Sequence, residues 1–269
     1  MKTIKLFVLL GLLFGIVYSC KKPIEPDQAT TNDVRNAELA QSDVFTFTQG
    51  NTDNGKAFTE DSGCINVSTV LNDDSSYTTT ITFDSTCAFD DNVTRSGQII
   101  ITWEPGWRID STKSCSISFN DFTRDSVTLN GKVTMKFLKG SFVDKIPPKY
   151  RMDETDMSLQ YADGKNSTWS GWRTVEWKQG FLTRRYRFDD VRVINFHRDG
   201  VNVNGESYTV DGNDLVLDNS CGTTKKTRTV SGTIVIVKGE TTTTVDFGDG
   251  TCDDTFTITQ GGVVITING

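Results

Sequence analysis

Three features of this 269-residue sequence predict a mostly β fold of antiparallel strands. Its acidic side chains are 27 Asp against 8 Glu, and Asp favours turns where Glu favours helices. Threonine accounts for 38 residues, and β-branched side chains suit strands. From about residue 63 onward, apolar and polar residues alternate with period two, broken by short clusters of Asn, Asp and Gly. The architecture expected is an antiparallel sandwich or open barrel-like set of sheets from a duplicated β unit, with one short N-terminal helix. The net charge of −7, from 28 basic and 35 acidic residues, lacks the clustered basic excess of a nucleic-acid binder.

The chain opens with Lys2 and Lys5, followed by an apolar run from Leu6 to Val17. That run is short for a membrane span, which needs about 20 apolar residues, but suits a signal-peptide core. It ends in Val17-Tyr18-Ser19-Cys20, which resembles a bacterial lipobox. The resemblance implies cleavage before Cys20 and attachment of diacylglycerol to its sulfur. Residues 1–19 are then a signal peptide, and the mature charge is 26 basic against 35 acidic, or −9. Residues 20–32 read as the lipidated Cys and a tether, with Pro23 and Pro26 stiffening its start. No later segment is apolar enough to span a bilayer, so the mature protein is expected to be soluble but tethered to the outer membrane. Periplasmic and surface-facing locations are both open.

Residues 33–269 form the expected β domain, with an internal duplication over about 60–140 and 150–269. At its start, Val34, Ala37, Ala40 and Val44 fall on one helical stripe within residues 33–49, with Asn32 or Asp33 as cap. Phe45 and Phe47 alternate with Thr, so a strand is nearly as good a reading there. Strands are predicted at 65–70, 77–84, 98–104, 115–122, 133–138, 157–162, 168–178, 191–197, 206–210, 215–217, 228–237, 241–247 and 263–267. Between them, Asn72-Asp73-Asp74, Asn130-Gly131, Asp163-Gly164, Asp199-Gly200, Asn204-Gly205, Asp211-Gly212 and Asp249-Gly250 read as tight turns.

The duplication rests on two similar stretches. Thr79–Asp84, Cys87 and Gly97–Thr102 make the first, and Thr243–Gly248, Cys252 and Gly261–Thr266 the second. Cys64 and Cys221 stand upstream of each, so the repeat argues for disulfides Cys64–Cys87 and Cys221–Cys252, each worth about 3 kcal/mol. Cys115 is left over and reads as a buried small apolar residue.

Catalytic signatures are sparse. His197 is the one histidine, which excludes a centre of two or three His ligands, and no GxSxG, Walker A or GxGxxG sequence occurs. Asp189-Asp190, Asp153-Glu154 and Glu176 are carboxylates from which a glycosidase-type pair would have to come. Asp246, Asp249, Asp253 and Asp254, in a glycine-bearing turn, are candidate calcium ligands, although a turn with exposed acids is the favoured reading. No other cofactor is expected. Period two places Trp169, Arg173 and Trp177 on one face of a strand and Trp172 and Glu176 on the other. On an exposed face two indoles flanking a guanidinium would suit stacking on a sugar, although a core role for one of the faces is the more usual reading. The segment Arg173–Arg198 is also locally basic, which would suit an anionic glycan or lipid headgroup, although arginines lining the solvated face of a sheet are the favoured reading.

Taken together, the lipobox, Thr80–Asp84, Thr94–Ile100, Arg173–Trp177 and Asp246–Asp253 resemble a group of Bacteroidetes outer-membrane lipoproteins of unknown function. The resemblance implies an envelope protein and carries no activity. The expectation is a non-catalytic binding or structural module. Its partners would be the membrane through the lipid anchor and a glycan or envelope protein, with a carboxylate-dependent enzyme acting on glycans as the alternative.

Overall fold

The computed structural model describes residues 27–50, 63–85, 89, 91–107, 110–183, 186–221, 228–253 and 255–268. Among the described residues, one α-helix, α1 (Gln28–Gly50), precedes thirteen strands. The strands are β1 (Ile65–Leu71), β2 (Tyr77–Phe83), β3 (Arg95–Trp103), β4 (Ser114–Arg124), β5 (Val127–Ser141), β6 (Ile146–Tyr161) and β7 (Asn166–Gln179). After a 3₁₀ turn (Arg187–Asp189) come β8 (Val191–Val201), β9 (Ser207–Asp218), β10 (Arg228–Lys238), β11 (Thr241–Asp249), β12 (Thr255–Gln260) and β13 (Val263–Asn268). All thirteen form a single antiparallel sheet whose spatial order is the sequence order, with β1 and β13 as its two edges.

The sheet curls around α1. The helix touches β2 through Phe47 and Phe83, β6 and β7 through Phe45, Tyr150 and Trp177, and β12 through Asp27 and Gln260. Period two explains how this closes: every strand sends alternate side chains inward, and those of β2 to β10 are nearly all buried. The arrangement is an open barrel with a helix for a core.

Asp27 caps the helix, accepting the Thr30 backbone N–H at 3.1 Å, so regular structure begins five residues earlier than the sequence suggests. Residues 28–32 are therefore helix rather than tether. Phe45 and Phe47 are also helical. Two residues apart on a helix point to nearly opposite sides, and both are buried because sheet lies on both sides. From Ala40 to Gly50 every residue is buried, including Gln41, Asp43, Thr46, Thr48 and Gln49.

Charged pairs connect this polar helix to the sheet. Asp43 receives Arg95 at 2.8 Å and Arg124 at 3.1 Å, and Asp91 receives Arg95 from the other side at 2.7 Å. Glu38 receives Arg173 at 3.0 Å and Arg198 at 2.7 Å, while Arg198 also binds Glu154 at 2.6 Å. Arg192 donates to Thr46 Oγ1 at 2.7 Å. Such pairs add less net stability than apolar packing, but breaking one is costly, so they fix where the helix sits.

Three Gly dipeptides expected as turns lie inside strands instead. Gly131, with φ +117°, sits at a register shift in β5 where a bulge needs it. Gly212 in β9 faces the Phe196 ring, where a Cβ would come within 2.2 Å of Cε1. Asp199-Gly200 likewise lies within β8. The strands expected at 206–210 and 215–217 are one, β9, and β12 was not anticipated.

The repeated stretches are equivalent only in part. Cys64 precedes the β1–β2 hairpin and Cys221 precedes the β10–β11 hairpin, so the two hairpins correspond. The third segment does not: Gly97–Thr102 lies on β3, next to β2, whereas Gly261–Thr266 runs into β13 with β12 intervening. Both hairpins belong to the one sheet.

Cys221 and Cys252 form a disulfide, Cα–Cα 5.3 Å, joining the β9–β10 and β11–β12 connections. Closing that 31-residue separation stabilises by about 3–4 kcal/mol on the chain-entropy model. Cys64 is also disulfide-bonded; Cys87, its expected partner, lies outside the described residues, as does Cys20. Cys115 is a buried thiol on β4, 1% exposed.

Candidate ligand cleft

The barrel is filled unevenly. Around the C-terminal half of α1, Phe45 and Phe47 reach the sheet directly. The N-terminal half instead faces β9 to β13 with Gln28, Thr31, Asn32 and Arg35, which are polar and largely exposed. Opposite them, the sheet presents Ile234 and Ile236 from β10, Val245 and Phe247 from β11, and Phe256 and Ile258 from β12. Ile265 and Ile267 complete the wall from the edge strand β13. These residues are two apart on each strand, so they share the concave face.

What remains between helix and sheet is an apolar cleft of about 420 Å³. Along the helix it runs from Gln28 to Ser42, about 21 Å at 1.5 Å per residue. Its volume lies within the roughly 300–1,000 Å³ typical of small-molecule sites. The sheet wall is mainly apolar, while the helix side and the rim are polar, with Arg35, Glu38, Arg228 and Asp253 as the charged groups. Phe247, Phe256 and Ile267 are only partly buried, although their side chains point toward the interior. A second depression, about 750 Å³, lies over β6 to β10 and is lined by Thr168, Ser170, Asp199, Ser207 and Thr209 among others. It is wide and open to solvent, and so lacks the walls that bury most of a ligand.

Trp169, Arg173 and Trp177 do share one face of β7, and that face is the interior. Their exposures are 3%, 0% and 2%. Trp169 Nε1 donates to Glu154 at 2.6 Å, Trp177 Nε1 donates to Asp190 at 2.9 Å, and Arg173 is paired with Glu38. This face is therefore a core layer, the more usual of the two readings, rather than an exposed stacking platform, because a sheet wrapped round a helix turns its more apolar face inward. The basic run meets the same fate in part. Arg173, Arg187, Arg192 and Arg198 are buried and Lys178 is exposed, while Arg184 and Arg185 lie outside the described residues.

The carboxylates named as catalytic candidates are dispersed. Asp153 binds Arg151 on the outer face, Glu176 binds Lys178 there, and Glu154 points inward to Arg198. Burial pushes the Glu154 carboxyl up, but the Arg198 guanidinium outweighs it and holds the group below its ordinary range. Asp190 is the opposite case. Burial raises it to about 7, against the opposing pull of Arg192 and of the Trp177 hydrogen bond.

Asp246, Asp249 and Asp253 each accept a backbone N–H two residues ahead, from Gly248, Thr251 and Thr255. Asp254 lies outside the described residues. Among the described residues, the one group of three His, Cys, Asp or Glu ligand atoms within 4.8 Å of one another is Asp218, Cys221 and Cys252, and its two cysteines are bonded to each other. His197 lies on the outer face between Asp211, 2.7 Å from Nδ1, and Asp199, 3.6 Å from Nε2.

The cleft itself escaped the sequence reading. Its signal was present as apolar residues two apart on four consecutive strands. That they exceed what the helix covers is a property of the assembled barrel. Among the described residues, no helix is long and apolar enough to cross a membrane. Compared with family models, curated proteins and solved structures, the chain matches none.

Proposed function

We propose that this is a lipid-anchored outer-membrane protein of the Bacteroidetes lipoprotein type, acting as a non-catalytic binding module that receives a single acyl chain in the α1/β9–β13 cleft. The observation that carries the reading is the cleft: an elongated cavity of about 420 Å³ walled by eight apolar side chains from β10 to β13. Burying an acyl chain against that apolar wall gains about 25 cal/mol per Å², while the polar helix side and rim suit a polar end group. The dispersed carboxylates support a binding role over glycan hydrolysis, since Glu154 and Glu176 are each held in an ion pair. The lipobox at Cys20 supports placement at the envelope.

The test is native mass spectrometry of the full chain purified from its envelope, beside the cleft-filling variants Ile236→Trp and Val245→Trp. The expected result is one single-chain amphiphile per protein molecule, absent from variants that still unfold cooperatively. An adduct of equal abundance in the variants, or none in the natural chain, would contradict the reading.

A further inference from the structure

A second surface stands apart from the cleft. Five large apolar side chains are exposed together at one end of the barrel: Val143 (90%), Leu182 (54%), Ile146 (52%), Tyr186 (47%) and Leu138 (43%). Leu138, Val143 and Ile146 belong to the tip of the β5–β6 hairpin, formed by the two longest strands, and Leu182 and Tyr186 belong to the β7–β8 connection. The Phe142 and Phe181 rings, 6.1 Å apart, hold the two segments together. Other large apolar side chains are exposed on β1, β2, β8, β10 and β13, but Val143 is the most exposed of all, and a cluster of this kind marks an interaction site.

Lysines surround it. Lys139 pairs in register with Lys149, and Lys149 with Glu176, so a row of charge crosses three strands just behind the tip. Glu176 is ion-paired with Lys178 at 2.6 Å, and Asp144 accepts the Ser141 hydroxyl at 2.7 Å while keeping its negative charge, so the three remaining lysines outnumber the one acid at the tip. Lys139, Lys145 and Lys149 remain to face an incoming surface, on a protein whose overall charge is −7.

We infer that the β5–β6 tip is a membrane-docking surface for anionic phospholipid, with Val143 and Ile146 entering the acyl boundary and Lys139, Lys145 and Lys149 meeting headgroup phosphates. Val143 and Ile146 stand at the apex with Lys145 between them, and Lys139 and Lys149 lie three or four residues back along the two strands. Apolar side chains flanked by cations suit a lipid interface, where apolar groups enter the acyl boundary and long lysines reach up to the headgroups. The tip lies at the end where α1 finishes, since Thr46 meets Arg192 at the start of β8, whereas Asp27 lies at the far end beside Lys238 and Gln260. β6 alone extends about 53 Å at 3.3 Å per residue, and seven residues from Cys20 to Asp27 reach about 25 Å at most. An upright domain thus presents the tip away from the bilayer that holds Cys20, and a domain lying on its side presents it to that same bilayer. The inference does not depend on the cleft.

The experiment attaches an environment-sensitive fluorophore at Val143→Cys in the full chain, reconstituted into phosphatidylcholine vesicles. Equimolar phosphatidylglycerol is then supplied, either in the same vesicles or in a second population. The expected result is a blue shift with phosphatidylglycerol in one of the two placements and none with phosphatidylcholine alone. The shift is lost in Lys139→Gln/Lys149→Gln and in high salt, and is absent from a label at exposed Val264→Cys. These positions are on the surface, so the variants keep the fold. No shift in either placement, an equal shift with the neutral lipid, or a shift that survives loss of both lysines would each overturn the inference. A shift seen only with envelope protein extract would give the tip to a protein partner and overturn it as well.

Discussion

Removing the Asp43 carboxylate should unseat α1 from the sheet. Asp43 lies on the fully buried half of the helix and binds Arg95 through both oxygens, at 2.8 and 3.0 Å, and Arg124 at 3.1 Å. The Arg95 side chain is 1% exposed. In Asp43→Ala its guanidinium keeps Asp91 but loses its other partner while the Arg95 side chain stays almost wholly buried. Breaking a buried pair by deleting one member costs about 3–5 kcal/mol, and the surviving Asp91 bonds place the expected value near the lower end. For a chain of this size each kcal/mol moves Tm by about 2–4 °C, so a fall of roughly 6–12 °C is predicted by calorimetry. Asp43→Asn, which keeps the shape and loses the charge, should fall between. The pH dependence has a definite sign. The Asp43 carboxyl is held below its ordinary 3.8: burial pushes it up, but Arg95 and Arg124 outweigh that. Its contribution is therefore present above about pH 4 and lost as pH falls through the lower folded value, so wild type and variant should converge in acid. A loss under about 1 kcal/mol at neutral pH, or a gap that persists in acid, would refute the view that charge fixes the helix.

Three further outcomes follow from single side chains. The Asp190 carboxyl is raised from 3.8 to about 7, so the folded state holds a proton the unfolded chain has released, and stability falls as pH rises from about 4 to 7. Asp190→Asn should therefore gain on the order of 4 kcal/mol relative to wild type between pH 4 and pH 8 in urea titrations; parallel profiles would refute this. His197 is raised above 6.5, chiefly by its hydrogen bond to Asp211, so its contribution is full below pH 6.5 and fades as pH passes its folded value. As the one histidine, its ring proton titrates alone in NMR. Asp211→Asn should lower the midpoint, and an unchanged midpoint would show that the pair is not formed. Gly212→Ala drives a methyl into the Phe196 ring and should cost about 1–3 kcal/mol, whereas a neutral effect would mean the strands part easily there.

The β class was legible because alternation is a local property, and twelve of the thirteen strands carry it plainly. β12 was missed because its six residues stand between Asp253-Asp254 and Gly261-Gly262, where turn chemistry dominates the reading. Asn130-Gly131 and Asp211-Gly212 misled for a different reason. Glycine serves both tight turns and close approach, and only the partner strand decides which. The helix was legible at Val34, Ala37, Ala40 and Val44, but not its burial. Its polar residues pair with arginines about 50 to 160 positions away, and no local pattern reports that. The same limit applied to Trp169, Arg173 and Trp177. Period two put them on one face correctly, and only the wrapping of the sheet made that face the inside. The cleft depends on a mismatch between a narrow polar helix turn and a wide apolar wall, a property of the assembly rather than of either segment.

The most direct test of the cleft is photo-crosslinking of the full chain in nanodiscs with palmitate bearing a diazirine on its chain, mapped by peptide mass spectrometry. The account predicts labels concentrated on α1 between Gln28 and Ser42 and on the inward residues of β10 to β13, suppressed by excess unlabelled palmitate and by Ile236→Trp. Labels spread over the outer surface, or concentrated there and indifferent to the Trp substitution, would contradict it.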